Sequence, residues 1–526
     1  MDTETIKSQS IFRQALFNTV SNYAGRIFTL TVWFFLTPFI LHRLGQSVYG
    51  MWVLVGSLVS YGSLLDFGIA NAITKYVAEF SARGNYKESH SLVATALWLY
   101  TASGMAAIIL GAVFAPIFPY FFNVPPEQRV IFSWLVFLSG VGLGISLPCA
   151  TTTAVLRGLQ RFDLINVIGI CGMLLYGVAT VIVLLLGGGL LGMAVVSILV
   201  NLVMQIPAVW LIHRNAPQLH FGWRGARRSY LRTVASFSSA LFVINIAGQL
   251  QAKTDEVVIG IALPVSNVAP YSIAHRLSEL PQLLTDQFMK VIMPLASQLH
   301  SENDPGRLRQ LYISSSRLTL ASFLPLGLGV AILAKPFLTA WVGVAYAPYA
   351  GLVVLLIIAS LMDTLMWPAG AILQGISRHH LLAISALASG LANLMLSIVL
   401  VRLIGLAGVA LGTLIPTTIE SLFFVIPFTL RIIGIDLRTA LKEMLLPALV
   451  PAVLMVVVLT GLRDLLRPAS IISILAIGGV GFLVYAFAYL STAASSQERQ
   501  MFVDLARDAL RSGRQRLHLE TPDVER

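Results

Sequence analysis

From about residue 18 to residue 491 the chain is a succession of apolar runs, most of them as long as the ~20 residues a helix needs to cross the hydrocarbon of a bilayer. Read between polar or Gly/Pro breaks, they give about fourteen candidate transmembrane helices. The first spans roughly 18–41, the second 48–79, the seventh 234–262 and the eighth 267–298. The second and eighth exceed the minimum and are expected to tilt, bend or protrude into water. Pro281 gives the eighth an internal break point. Composition closes the main alternative. Of 526 residues, 57% are hydrophobic and 11% charged, whereas soluble proteins carry about a quarter charged residues. So little charge does not cover a water-facing surface, which excludes a soluble multi-domain enzyme. Cys149 and Cys171 are the only cysteines, both in apolar stretches, leaving no disulfide framework or thiolate metal site.

The net charge of +11 raises nucleic acid as a partner, but the placement of the bases decides otherwise. Lys and Arg concentrate in the even-numbered connections, among them Arg83 and Lys87, Arg157 and Arg161, the five arginines from Arg214 to Arg232, and Arg431, Arg438 and Lys442. The odd-numbered connections hold few. This bias orients a multi-pass protein with both termini in the cytoplasm and explains the basic balance without nucleic acid. The first residues carry Asp2, Glu4, Lys7 and Arg13, and no small-residue cleavage site follows, so the first helix reads as uncleaved. In the tail, Phe502, Leu505, Ala506, Ala509 and Leu510 share a helical face opposite Arg507, Arg511 and Arg514. This fits a helix lying on an anionic leaflet, or a solvated tail.

Internal repetition is the next constraint. The segment Leu156-Arg157-Gly158-Leu159-Gln160-Arg161 recurs as Leu373-Gln374-Gly375-Ile376-Ser377-Arg378, and Gly189-Leu190-Leu191-Gly192 as Gly405-Leu406-Ala407-Gly408. Leu44-Gly45 before Tyr49 faces Leu263-Pro264 before Tyr271 more loosely. The offset stays near 217 residues, about six helices. Six is even, so both copies cross in the same direction, as in transporters built from parallel repeats. The expected architecture is an all-α polytopic protein of two six-helix lobes related by a pseudo-two-fold along the membrane normal, plus two C-terminal helices. The corresponding segments are 1–213, a basic linker 214–233, 234–431, the two appended helices in 432–491, and a tail at 492–526.

At these residues the chain resembles a known family. Tyr49-Gly50-Met51-Trp52 followed by Leu64-Leu65-Asp66-Phe67-Gly68, then Asp255 through Gly260 with Tyr271, Ala274 and Arg276-Leu277, and Gln374-Gly375 with Arg378, are similar to the polysaccharide transporters. These are Wzx-like oligosaccharide flippases of the multidrug/oligosaccharidyl-lipid/polysaccharide exporter superfamily. The resemblance covers residues 12–491. It implies two lobes around a central cavity, alternating access, and a lipid-linked oligosaccharide as substrate. No cofactor is implied.

Ionisable side chains in mid-membrane cost about 2.5 kcal/mol or more each, so they default to pathway hypotheses. On helix one, Asn18, Asn22 and Arg26 share a face, and helix two carries Asp66, Lys75 and Glu79. Helix seven carries Asn245, Gln249 and Lys253 on one face and Asp255 on a neighbouring one. On helix eight, His275, Glu279, Gln282, Asp286 and Lys290 draw one continuous stripe, with Arg276 beside it. A lipid-linked glycan carries a phosphate or pyrophosphate, for which Arg26, Lys75, Arg276 and Lys290 are the candidate cations. Asp66, Asp286, Glu279 and Asp255 are the candidates for carrying protons or Na⁺. Asn18, Asn22, Asn245, Gln249 and His275 would line the polar path, and Tyr23, Trp33 and Trp367 offer rings to sugars. A structural alternative stays open, in which Asp255 pairs with Arg276, Lys75 with Glu79, or Asp286 with Lys290, and the charges only hold helices together.

No phosphate-cradling G-x-x-x-x-G-K-[ST] run and no H-E-x-x-H pattern occurs, and the adjacent His379-His380 pair does not share a helix face. The outer connections are short, which disfavours an enzyme. The leading expectation is an inner-membrane flippase exporting an undecaprenyl-linked repeat unit for capsule, exopolysaccharide or O-antigen, with a polysaccharide polymerase and a chain-length regulator as partners. The competing readings are a multidrug/cation antiporter of the same superfamily, a membrane glycan polymerase or transferase, and a passive scaffold.

Overall fold

The computed structural model describes residues 3–219, 222–231, 234, 249 and 253–492. Asn245 and the tail helix expected after Ser495 lie outside the described residues. Among the described residues the chain is all-helical. In order, the main helices are α1 (Thr3–Gly62), α2 (Ile69–Ala82), α3 (Tyr86–Phe114), α4 (Arg129–Gly158), α5 (Phe162–Leu185) and α6 (Gly189–Asn215). They continue with α7 (253–262), α8 (Val268–Glu279), α9 (Gln282–Ser301), α10 (Pro305–Trp341), α11 (Ala350–Gly375) and α12 (His379–Ile404). The last three are α13 (Leu406–Ile433), α14 (Leu437–Leu466) and α15 (Ile471–Thr492).

Eleven helices among the described residues are long and apolar enough to cross a membrane, which makes the chain a multi-pass membrane protein. The difference from the expected fourteen lies at three places. The first and second spans form one stretch, Gly25–Asp66, bent where Gly45 leaves helical geometry at φ 79°. Most of the seventh falls outside the described residues. The eighth is divided: α8 stops at Glu279, Pro281 caps the start of α9, and neither piece is both long and apolar enough. The stripe from His275 to Lys290, expected on one continuous helix, is therefore shared between two. The second span also breaks. After Gly62 the chain tightens into a 3₁₀ turn over Ser63–Asp66, and Phe67 (φ 47°) and Gly68 (φ 79°) are left-handed before α2 begins. Farther along, Asp436 starts α14 by accepting the Thr439 N–H at 3.1 Å. The Thr439 hydroxyl and N–H hold that carboxyl below the usual carboxylate range.

The chain divides into two compact units. The first comprises Met1–Ile273 with Ala386–Thr413, the second Ala274–Ser385 with Leu414–Arg526. In the first, α3 and α4 meet through glycines: a Cβ on Gly111 would lie 2.9 Å from Gly140 Cα, and one on Gly104 would lie 2.3 Å from Gly144 O. Small residues at such a crossing let backbones approach where lipid supplies no hydrophobic drive. Its core gathers Ile73, Val77, Leu92, Tyr100 and Leu156. The basic connection before α7 is not loose. Its segment 222–231 lies on α3: the Arg227 N–H donates to Thr95 Oγ1 at 3.0 Å, the Arg227 guanidinium pairs with Glu88 at 3.2 Å, and Trp98 Nε1 donates to Trp223 O at 3.1 Å. In the second unit α9, α10 and α11 bury Ala296, Tyr312 and Ala369, while α14 and α15 pack on α10 around Leu324, Met455 and Tyr485.

Each unit carries the same backbone devices at matching sequence offsets. Gln160 and Ser377 are both left-handed, at φ 59° and 61°, and so are Gly84 and Asn303. The helix ends beside them close identically, Arg161 N–H to Leu156 O at 2.9 Å and Arg378 N–H to Leu373 O at 2.7 Å. In one unit a Cβ on Gly158 would lie 2.8 Å from Val77 Cβ and 3.0 Å from Thr74 O. In the other, a Cβ on Gly375 would lie 2.7 Å from Ala296 Cβ and 3.0 Å from Met293 O. The repeated glycine is thus the point where α4 touches α2, and α11 touches α9. Valine at either position forces two helices apart and should cost roughly 1–3 kcal/mol. Gly390→Ala, with nothing within 4 Å, should be harmless. Thermal unfolding of the purified variants checks this, and equal midpoints for Gly375→Val and Gly390→Ala would contradict it.

Candidate functional site

The candidate polar side chains gather within each unit, and two of them, Asp66 and Gln282, lie at helix breaks. In the first unit Asp66 closes the 3₁₀ turn. Its Oδ1 accepts the Ala70 N–H at 3.2 Å, in the half-buried first turn of α2, and also the Tyr100 hydroxyl. A carboxylate there satisfies orphan donors of a helix N-terminus. Farther along this unit, Asp255 on α7 is 7% exposed. Its Oδ2 accepts the fully buried Tyr271 hydroxyl and, at 2.8 Å, the Thr413 hydroxyl of α13. Asn393 on α12 donates to Thr413 Oγ1 at 3.0 Å, and its own Oδ1 is buried without a hydrogen-bond partner. One turn on, Ser397 Oγ is buried and likewise unpartnered. Next to Asp255, Thr254 bonds Tyr61 at 2.8 Å, Glu256 Oε2 is buried without a partner, and Gln249 donates to Ser63 Oγ at 3.1 Å. This is an oxygen-rich cluster of carboxylate, amide and hydroxyl groups among apolar helices.

The second unit has its own polar cluster at the break between α8 and α9. Gln282, the first residue of α9, donates to Asp363 Oδ2 of α11 at 3.0 Å and lies 3.2 Å from Thr364 Oγ1. Trp367 Nε1 donates to the same Asp363 oxygen at 3.2 Å, which commits that indole to an acid. Nearby in sequence, Ser385 on α12 bonds Glu420 of α13.

The candidate cations are placed as follows. Arg26 is exposed on α1 and Lys75 exposed on α2, with its ammonium 4.7 Å from the Tyr76 ring centroid. Glu79 bridges Arg83 at 3.0 Å. Arg276 and His275 are half-buried in the last turns of α8, Glu279 is exposed at its end, and Asp286 is half-buried on α9. The backbones of Asn18, Asn22 and Lys290 are helical, and their side chains lie outside the described residues. The structure thus brings Asp255 together with Tyr271, Asn393 and Thr413 in one unit, and Gln282 with Asp363 and Trp367 in the other. No group of three or more His, Cys, Asp or Glu placed to hold a metal ion occurs among the described residues.

Four residues at these sites escape a reading of the sequence for stripes of charge: Glu256, Asp363, Asn393 and Glu420. Asp363 and Glu420 are each the one ionisable residue between the ends of its span, and that solitude is the signal that flags them.

The sequence pattern of the family described as polysaccharide biosynthesis protein matches residues 40–351. A relative from Haloferax volcanii, a probable low-salt glycan biosynthesis flippase, Agl15, is 21% identical over 77% of this chain and 81% of its own length. Among solved structures, the lipid II flippase MurJ in an inward closed conformation superposes with a TM-score of 0.68, covering 90% of this chain and 98% of that one at 14% identity. An inward-facing multidrug resistance MATE transporter of the MOP superfamily gives 0.62, covering 78% of this chain and 98% of that one at 15% identity. The chain therefore shares its fold with these solved structures, and the relatives it matches are described as flippases and transporters, not enzymes.

Proposed function

This chain belongs to the polysaccharide biosynthesis protein family, and from that premise we propose that it is an inner-membrane flippase for a lipid-linked oligosaccharide, working by alternating access. The observation that carries the reading is a polysaccharide family on a chain with eleven membrane-length apolar helices among its described residues. Such a chain meets the glycan at the bilayer, and the membrane-length helices fill most of its described residues. The substrate is an undecaprenyl-linked unit destined for capsule, exopolysaccharide or O-antigen. Arg26, Lys75, Arg276 and Lys290 meet its phosphates, because planar guanidinium and compact ammonium groups replace phosphate hydration. Asp255, which accepts from Tyr271 and Thr413, with Asn393 bonded to Thr413 beyond it, supplies hard oxygen ligands of the kind Na⁺ or a proton uses. Two lobes of six helices, at 1–213 and 234–431, carry the exchange, and the matched glycine contacts of Gly158 and Gly375 support that repeat. A polymerase and a chain-length regulator receive the product.

One observation favours a second reading. Asp255, Asp363 and Glu420 put carboxylates inside membrane helices, as an antiporter of cationic drugs requires, on a fold shared with such transporters. Cells lacking the protein separate the two. The flippase reading expects lipid-linked glycan to accumulate on the cytoplasmic leaflet with drug tolerance unchanged; the antiporter reading expects the reverse.

Orientation is a further expectation. Both termini and the basic connection around Pro217 face the cytoplasm. Protease added to intact, outer-membrane-permeabilised cells should leave tags at Pro217 and at the C-terminus uncut; cleavage at either from the periplasm reverses the assignment.

A further inference from the structure

Glu420 lies inside the membrane span Leu406–Ile433, at the second residue of a widened π turn, Ile419–Val425. Such turns are rare and favour functional positions. The side chain is 6% exposed. Its Oε1 lies 2.8 Å from Ser385 Oγ, and its Oε2 is buried with no hydrogen-bond partner. The Ser385 hydroxyl also lies 3.1 Å from Leu382 O. One hydroxyl proton does not serve both acceptors, so at best one shared donor stands against a whole carboxylate. Ser421 Oγ, the next residue, is fully buried and equally unpartnered. A buried carboxylate so poorly supplied is costly unless a positive charge neutralises it.

Among the described residues, no base forms a salt bridge with this carboxylate. α11 packs against the π turn, and its one charged residue is Asp363, a second acid. On α12 the titratable groups within this unit are His379 and His380, in its exposed first turn. On α10, Arg309 donates to Ile433 O at 2.7 Å, while Arg307 pairs with Asp304 at 3.5 Å. Arg317 is half-buried on α10, and Arg431 is exposed in the last turn of α13.

We propose that Glu420, with Ser385 and the carbonyl-rich π turn, is a monovalent-cation site of the second unit, distinct from the Asp255 cluster. The occupant is Na⁺ or a proton taken from water. Asp363, the other intramembrane acid of this unit, already accepts two N–H donors, from Gln282 and Trp367, whereas Glu420 keeps an open oxygen for the cation. The site does not depend on what the protein transports, because the cation binds without substrate.

The test uses the purified full-length protein without glycan. Thermal unfolding is followed for wild type and Glu420→Gln, with Na⁺ replaced by choline at constant ionic strength and then across pH. Glutamine is isosteric and permanently neutral. Stabilisation of wild type by Na⁺, lost in the variant, identifies a Na⁺ site; stabilisation of wild type by acid relative to the variant, unaffected by Na⁺, identifies a proton site. Identical Na⁺ and pH responses in the two proteins overturn the proposal. Should Glu420→Gln not fold, labelling of wild type by dicyclohexylcarbodiimide decides: modification of Glu420 that Na⁺ or alkali suppresses supports the site, and a Glu420 unlabelled under every condition overturns it.

Discussion

On the proposed phosphate contact, glycan export should fall about ten- to a hundredfold when Arg276 is replaced by alanine, while the protein still inserts and folds. The size follows from the loss of charge-assisted hydrogen bonds to a phosphate, each worth roughly 1.5–3 kcal/mol. Arg276 stands half-buried in the last turn of α8, just before the chain breaks at Pro281. A helix end of that kind places a guanidinium within reach of a ligand without stranding it in lipid. Lysine restores only part of the activity, because a point charge does not reproduce the bidentate geometry of a guanidinium. Leaflet-resolved assay of the lipid-linked glycan in cells producing each variant gives the measurement. Recovery of export on adding Glu279→Ala to Arg276→Ala would reveal a structural pair at i,i+3 and remove Arg276 from the phosphate contacts.

The second large effect is at Asp255. Asp255→Leu deprives the buried Tyr271 hydroxyl and the Thr413 hydroxyl of their shared acceptor. Thr413 also lies 3.3 Å from Val409 O, so the loss falls mainly on the Tyr271 hydroxyl; losing that acceptor costs about 1–3 kcal/mol, and this variant should unfold below wild type. Asp255→Asn keeps an acceptor oxygen and should fold, but it lacks the charge that attracts a cation. In reconstituted vesicles it should lose gradient-driven transport while retaining slow, gradient-independent flipping. Full gradient-driven transport in Asp255→Asn would reduce Asp255 to a structural tie between α7, α8 and α13.

The apolar runs and the repeat are legible in the sequence because both are dense signals: about 20 apolar residues per span, and a glycine at each copy where two helices touch. The helix breaks are less so. Pro281 announces one break by its chemistry, whereas Phe67 is a bulky residue held left-handed, which no propensity foretells. Asp66 reads as an intramembrane charge, yet its local bond is that of a helix cap, because the break beside it creates a new N-terminus. Stripes of charge draw attention to α8 and α9. The solitary acids Asp363 and Glu420 make no stripe, and Asn393 and Thr413 gain meaning only when α12 and α13 fold against α7.

Translocation itself is the most direct test. Purified protein is reconstituted into vesicles with an undecaprenyl-linked oligosaccharide in both leaflets, and the fraction accessible to an external glycosidase is followed in time, with and without imposed pH and Na⁺ gradients. The flippase account predicts that wild type brings the inner pool out at least about tenfold faster than Arg276→Ala, a difference of about 1.4 kcal/mol in barrier, with the glycan unchanged in length. Rates equal to those of protein-free vesicles, or longer glycan chains in the product, would contradict it.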